Sequence, residues 1–178
     1  MQKLLTLCAL LALGFSVSHA AEDHKTFKVA DLTFSRPEKW KWVDIQPGMR
    51  AAQLEVKGED GKNNGEVVFF HFPGGGGGVQ ANIDRWLGMF QEGKDKINAK
   101  TEKVKKEHGT VTYVQADGTY MSGMPGGPKK PQAETMLQGA IIETPDANVF
   151  VRLTGPIALV KAAQADFRKM AESAIEKK

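Results

Sequence analysis

Ala52, Leu54 and Val56 alternate with Gln53, Glu55 and Lys57, the period-two pattern of a strand with one face buried. The alternation disappears in the next apolar segment, 65–72, where Val67, Val68, Phe69, Phe70 and Phe72 stand almost side by side. A continuous apolar run predicts a central strand covered on both faces. Residues 59–64 (EDGKNN) form the turn between these two strands. Beyond the glycines at 74–78 the period changes again. Val79, Ile83, Trp86, Leu87 and Phe90 fall on one helical stripe, with Gln80, Asn82, Asp84 and Arg85 on the polar side.

The remaining pattern follows the same two periods. Residues 27–34 read as a short hairpin turning at Ala30-Asp31, and 37–42 as a turn whose two tryptophans plug the end of a core. Residues 92–103 are lysine-rich and read as a solvated connection. Strand character resumes over 103–114, with a turn at His108-Gly109. The segment MSGMPGGPKKPQ, 121–132, is a glycine- and proline-rich loop. Strands at 136–142 and 149–153 flank Thr144-Pro145-Asp146-Ala147-Asn148, a hairpin signal. Thr154-Gly155-Pro156 predicts a helix start with proline in its first turn. Val160, Ala163, Phe167, Met170 and Ala174 then give an amphipathic closing helix. Hairpins linking neighbouring strands, interrupted by two helices, predict an α+β fold: a central, mostly antiparallel sheet with helices packed on its faces.

Several short stretches together resemble a known group. These are the N-terminal hairpin, the Pro37 to Trp40 turn, and the helix carrying Asn82-Ile83-Asp84-Arg85-Trp86. A strand ending Gly118-Thr119-Tyr120 and a last helix after Leu153-Thr154-Gly155-Pro156 complete the set. The order is similar to that of exported bacterial proteins of the PsbP-like, Mog-type α/β/α sandwich group. The resemblance implies one sandwich domain over 25–176. It implies no catalytic residues, because members include photosystem accessory subunits and a Ran-binding factor that share no chemistry.

The N-terminus adds a destination. Lys3, the apolar stretch 4–17 and Ser18-His19-Ala20 have the three parts of a secretory signal peptide over 1–20, cleaved after Ala20. A lipoprotein signal centred on Cys8 fits less well, since a long apolar run follows that cysteine. Cleavage would remove Cys8, the single cysteine, and with it any disulfide or thiolate chemistry. The expected location is therefore periplasmic or extracellular, with no membrane span after cleavage. The chain carries 24 Lys and Arg against 21 Asp and Glu, and losing Lys3 would leave 23 against 21. Lysines 103, 105 and 106 are interleaved with Glu102 and Glu107, the pattern of a solvated face rather than a nucleic-acid surface.

Five consecutive glycines, 74–78, between strand and helix raise the question of a phosphate cradle. The Walker pattern needs Lys and Ser or Thr where Val79 and Gln80 stand. The dinucleotide pattern needs a third glycine where Val79 stands, and a parallel βαβ unit besides. Ordering five glycines is also entropically unfavourable, so the run reads as a slack connector. His24, His71 and His108 belong to no nucleophile motif, and His71 reads as a satisfied core or rim histidine. No His, Cys and carboxylate spacing suggests zinc. Met121 and Met124 lack flanking histidines and read as adaptable contacts rather than copper ligands. A free N-terminus at Glu22-Asp23-His24 would only chelate copper after cleavage one residue later than Ala20.

The sequence thus predicts an exported, non-catalytic, monomeric binding or accessory module without cofactor. Its partner is an unknown protein or small ligand. Gly76, Gly78, Arg85, Met121 and Met124 are the candidate contact residues. The alternative is a small-anion-binding protein or hydrolase using loops 73–78 and 121–132. A tight turn at His108-Gly109 would place those two loops at opposite ends of the sheet, with no composite pocket between them.

Overall fold

The structure, a computed structural model, describes residues 24–59, 61–74, 76–123 and 126–176. The expected signal peptide and its cleavage site after Ala20 lie outside the described residues. A small hairpin, β1 (Thr26–Val29) and β2 (Leu32–Ser35), turns at Ala30-Asp31 as the pattern predicts, with Ala30 at φ +51°. The main sheet contains β3 (Lys41–Trp42), β4 (Arg50–Val56), β5 (Gly65–His71), β6 (Lys100–Lys106), β7 (Gly109–Ser122), β8 (Lys130–Glu143) and β9 (Asn148–Pro156). Its seven strands run in the order β3-β4-β5-β9-β8-β7-β6, and every neighbouring pair is antiparallel. Helix α1 (Val79–Leu87) follows the glycines, and α2 (Ile157–Ser173) closes the fold. The architecture is α+β and dominated by its antiparallel sheet.

Period-two alternation sorts the strand residues onto two faces. One face carries Leu54, Val67, Phe69, Tyr113, Ala140, Val151 and Leu153, covered by α2 through Val160, Ala163, Phe167 and Met170 and by the β1–β2 hairpin. Phe27 and Phe34 reach Phe69 edge-on, with ring centroids 5.0 and 5.1 Å away. Polar side chains fasten α2 as well. Arg168 makes a bidentate pair with Glu102 at 2.8 Å, and its guanidinium lies 4.1 Å over the Tyr113 ring. Tyr113 in turn donates its hydroxyl to Glu172 at 3.1 Å. Burial, then the Glu172 charge, pushes the Tyr113 phenol above its ordinary value. Gln164 bridges Gln115 and the buried Gln138. This face is closed.

The other face is covered only in part. Helix α1 is nine residues long, too short to be stable alone, and is held by Ile83, Trp86 and Leu87 over Val114, Ala116, Leu137 and Ile141. Gly139 makes this packing possible: a Cβ there would stand 2.3 Å from the Trp86 ring. Phe90, expected on the helical stripe, lies past the helix end and bridges to Tyr120 instead. The connection read as solvated, 92–103, also does structural work. Ile97 is fully buried and accepts a hydrogen bond from the Asp117 N–H at 2.9 Å. Its last residues, from Lys100, already belong to β6.

Two other boundaries move. β7 and β8 are long and shrink the expected loop 121–132 to its tip, with Ser122 paired to Lys130. β9 continues through Thr154-Gly155-Pro156, so α2 begins one residue later and Pro156 is its N-cap rather than part of its first turn.

Candidate functional site

The glycine corner is not slack. Asn82, placed on the polar side of α1 by the sequence pattern, is buried. Its Nδ2 donates to the carbonyls of Gly76, Gly77 and Gly78 at 3.2, 3.4 and 3.0 Å. Arg85 Nη1 donates to Asn82 Oδ1 at 2.6 Å and so orients the amide. Gly76 has φ +63°, and a Cβ there would stand 2.7 Å from Phe72 and 3.0 Å from Phe150. Glycine is required at that corner by conformation and by space. A phosphate cradle needs N–H groups converging on the anion, whereas this loop converges its carbonyls on an amide. Gly76, Gly78 and Arg85, three of the candidate contact residues, therefore come together as the latch that starts α1.

Met121 lies elsewhere. It sits near the end of β7, where its N–H donates to the Met89 carbonyl at 2.7 Å. Met124 lies outside the described residues. β5 ends beside the start of β9, whereas β7 ends at the opposite edge of the ladder, so the two glycine-rich loops do stand at opposite ends.

Between those ends the half-covered face forms an open groove of about 1820 Å³. Its floor is the continuous apolar run and its neighbours: Phe70, Phe72 and Phe150, with Trp86, Met89 and Tyr120 from the α1 side. The run was expected to be covered on both faces, and Val67 and Phe69 do belong to the closed face. Phe70 and Phe72 are only half-buried, because α1 sits over β7 and β8, whereas Val68 and Phe150 on the same face are buried. The walls are the β4–β5 turn with Asn63 and Asn64, the β7–β8 arm with Ser122, Gly123 and Gln132, and the first turn of α2. None of the described residues of 73–78 lines it. Met49, 63% exposed and the single exposed large apolar side chain among the described residues, stands on its rim.

The groove is basic although the chain is nearly neutral. Six basic side chains line it, Arg50, Lys62, Arg85, Lys129, Arg152 and Lys161, against the two acidic ones Glu66 and Glu134. Arg50 pairs with Glu66 at 2.6 Å. Arg152 is different. It rises from the middle of β9 opposite Val68 and Gly139, with its guanidinium 5.7 Å over Phe70 and 5.9 Å over Tyr120. Its Nη1 lies 3.1 Å from the Met89 sulfur, a weak acceptor. Its Nε is buried without a hydrogen-bond partner, one of two such side-chain atoms among the described residues with Thr112 Oγ1. Burial raises the Tyr120 phenol above its ordinary value, opposed by the Arg152 charge and assisted by that of Glu66.

Sequence reasoning missed Asn82 and Arg152. Each had a faint signal: a polar residue one turn into a helix that follows glycines, and a single charge in a strand of apolar neighbours. Among the described residues no group of three or more His, Cys, Asp or Glu could hold a metal ion. His71 sits at the sheet rim with Nδ1 3.2 Å from the Asn148 carbonyl, a satisfied histidine as expected. Among the described residues no helix is long and apolar enough to cross a membrane.

No protein-family model matches the chain, and no curated protein is similar to it in sequence. Solved structures are similar in fold. The solution structure of cyanobacterial PsbP (CyanoP) from Synechocystis sp. PCC 6803 superposes with a TM-score of 0.50 at 10% identity, over 83% of this chain and 89% of that one. A Pseudomonas aeruginosa protein of unknown function, PA94, described as a putative regulator, gives a TM-score of 0.46 at 11% identity, over 86% and 96% of the two chains. At such identities the likeness to CyanoP is one of fold: this chain has a PsbP-like fold.

Proposed function

We propose that this chain is an exported, non-catalytic binding module of the cell envelope. Cleavage after Ala20 releases a single α/β/α sandwich domain over 25–176, which holds a small ligand or a protein segment in the open groove. One observation carries the reading: an aromatic floor, the half-buried Phe70 and Phe72 beside the buried Phe150, lies on a sheet face that α1 covers only in part. Concave apolar surface rimmed by polar side chains is the usual form of a binding site. The alternative, an anion site or hydrolase built on loops 73–78 and 121–132, has less support. The first loop aims its carbonyls inward at Asn82, and the two loops stand at opposite ends of the sheet.

The test uses an uncharged probe. N-phenylnaphthylamine should bind the mature protein with a rise in fluorescence, and Phe70→Ser and Met49→Ser should each weaken it while leaving cooperative thermal unfolding. Absence of binding, or binding indifferent to both substitutions, would remove the groove reading. Mass spectrometry of the exported protein should find Ala21 first. Full-length protein would remove the export reading.

A further inference from the structure

The groove reading leaves the chemistry of the occupant open, and Arg152 narrows it. A guanidinium taken out of water is stabilised by an anion, and left alone it is an uncompensated charge. Arg152 is half-buried, and among the described residues no oxygen accepts a hydrogen bond from it. Its neighbours are a thioether and the faces of two rings. Ring faces attract a cation but do not take up its N–H groups. Glu66 lines the same groove but pairs with Arg50. The lining as a whole is basic by six side chains to two.

We propose that the groove takes a single-chain carboxylate amphiphile of fatty-acid type, its carboxylate on Arg152 and its alkyl chain on the aromatic floor. The inference rests on the groove reading above. Three observations select this chemistry. An alkyl body asks for no hydrogen bonds. The floor is a sheet face whose backbone groups are already paired within the ladder, so an extended peptide lying on it would leave its own main chain unsatisfied. From Val68, opposite Arg152, to Phe72 the apolar floor runs four residues, about 13 Å, room for one extended chain of decanoate length. Arg152 offers a single fork at the floor with the Glu66 carboxylate in the same groove. A carboxylate matches the planar guanidinium fork.

Displacement of N-phenylnaphthylamine by decanoate, decan-1-ol and decyl phosphate, at concentrations below micelle formation, tests this. Decanoate should bind at least about tenfold more tightly than decan-1-ol, the range of a hydrogen bond to a charged group. Arg152→Met should bring that ratio close to one with the alcohol's affinity retained, and Arg152→Lys should keep part of it. If Arg152→Met does not fold, the lysine variant and the wild-type ratio decide. Equal affinity for acid and alcohol, or a preference that survives Arg152→Met, overturns the carboxylate assignment and leaves the groove standing. Tighter binding of decyl phosphate than of decanoate also overturns it. If the probe binds and none of the three displaces it, the amphiphile is wrong. If the probe itself does not bind, the groove reading fails first.

Discussion

Phe69 and Phe70 are adjacent in β5 and lie on opposite faces of one sheet. Phe69 is fully buried beneath the β1–β2 hairpin, with the rings of Phe27 and Phe34 against it. Phe70 is half-buried, stacked near Phe72, and has the Arg152 guanidinium over its ring. The closed face has a seventeen-residue helix fastened by Arg168, Glu172 and Gln164. The open face has a nine-residue helix, and both buried side-chain polar atoms without a partner among the described residues lie on it. Satisfied polar groups and full cover mark a face built for stability, whereas orphaned groups and partial cover mark a face available to something else.

The largest expected difference between the faces is between those two phenylalanines. Phe69→Ala should lose ~3–5 kcal/mol of unfolding free energy, as for a fully buried aromatic. Phe70→Ala should lose no more than about 2 kcal/mol, since part of its surface stays in water. Urea denaturation of both variants measures this, and equal losses would mean that the second face is covered as well as the first.

Asn82→Ala comes next. It removes the donor that three glycine carbonyls share, and should cost about 1–2 kcal/mol. Hydrogen exchange should rise around 76–82 and stay unchanged in α2. A uniform rise would show that the latch belongs to the whole core and not to one wall of the groove.

The smallest effect concerns Glu92, which accepts the Thr119 N–H with both oxygens and ties the segment after α1 to β7. Hydrogen bonding from Thr119, its hydroxyl first and then its backbone N–H, holds this carboxyl below its ordinary value of 4.5. A carboxyl lowered by folding adds stability that is complete above that value and is lost as pH falls through the lowered one. Wild type and Glu92→Gln should therefore differ slightly in urea midpoint at pH 7 and converge under acid. A difference that persists below the lowered pKa would assign the effect to something other than this charge.

Much of the fold was legible from period alone. The turn at Ala30-Asp31, the hairpin around Pro145-Asp146, the stripe of α1 and that of α2 all follow from residues repeating at two or at three and four. The continuous run 67–72 misled for a physical reason: a strand covered on both faces and a strand flooring an apolar groove need the same side chains. Gly139 was not legible, because only the structure shows that Trp86 occupies the space of its absent Cβ. Asn82 looked like one more polar residue on a helix, since its partners are backbone carbonyls, which every sequence has. Arg152 is the single charged residue of β9, and an outward-facing arginine in a strand ordinarily means solvent. Its position opposite Val68 and Gly139 could be known only from the register.

Whether the open face is a binding site is tested most directly by following backbone amide shifts of the isotopically labelled protein as decanoate is added. Saturable shifts should cluster at Phe70, Tyr120, Phe150, Arg152 and Thr154, with Ala163 and Phe167 of α2 unmoved. Shifts centred on α2 or on residues 76–78, or none at any concentration reached, would contradict it.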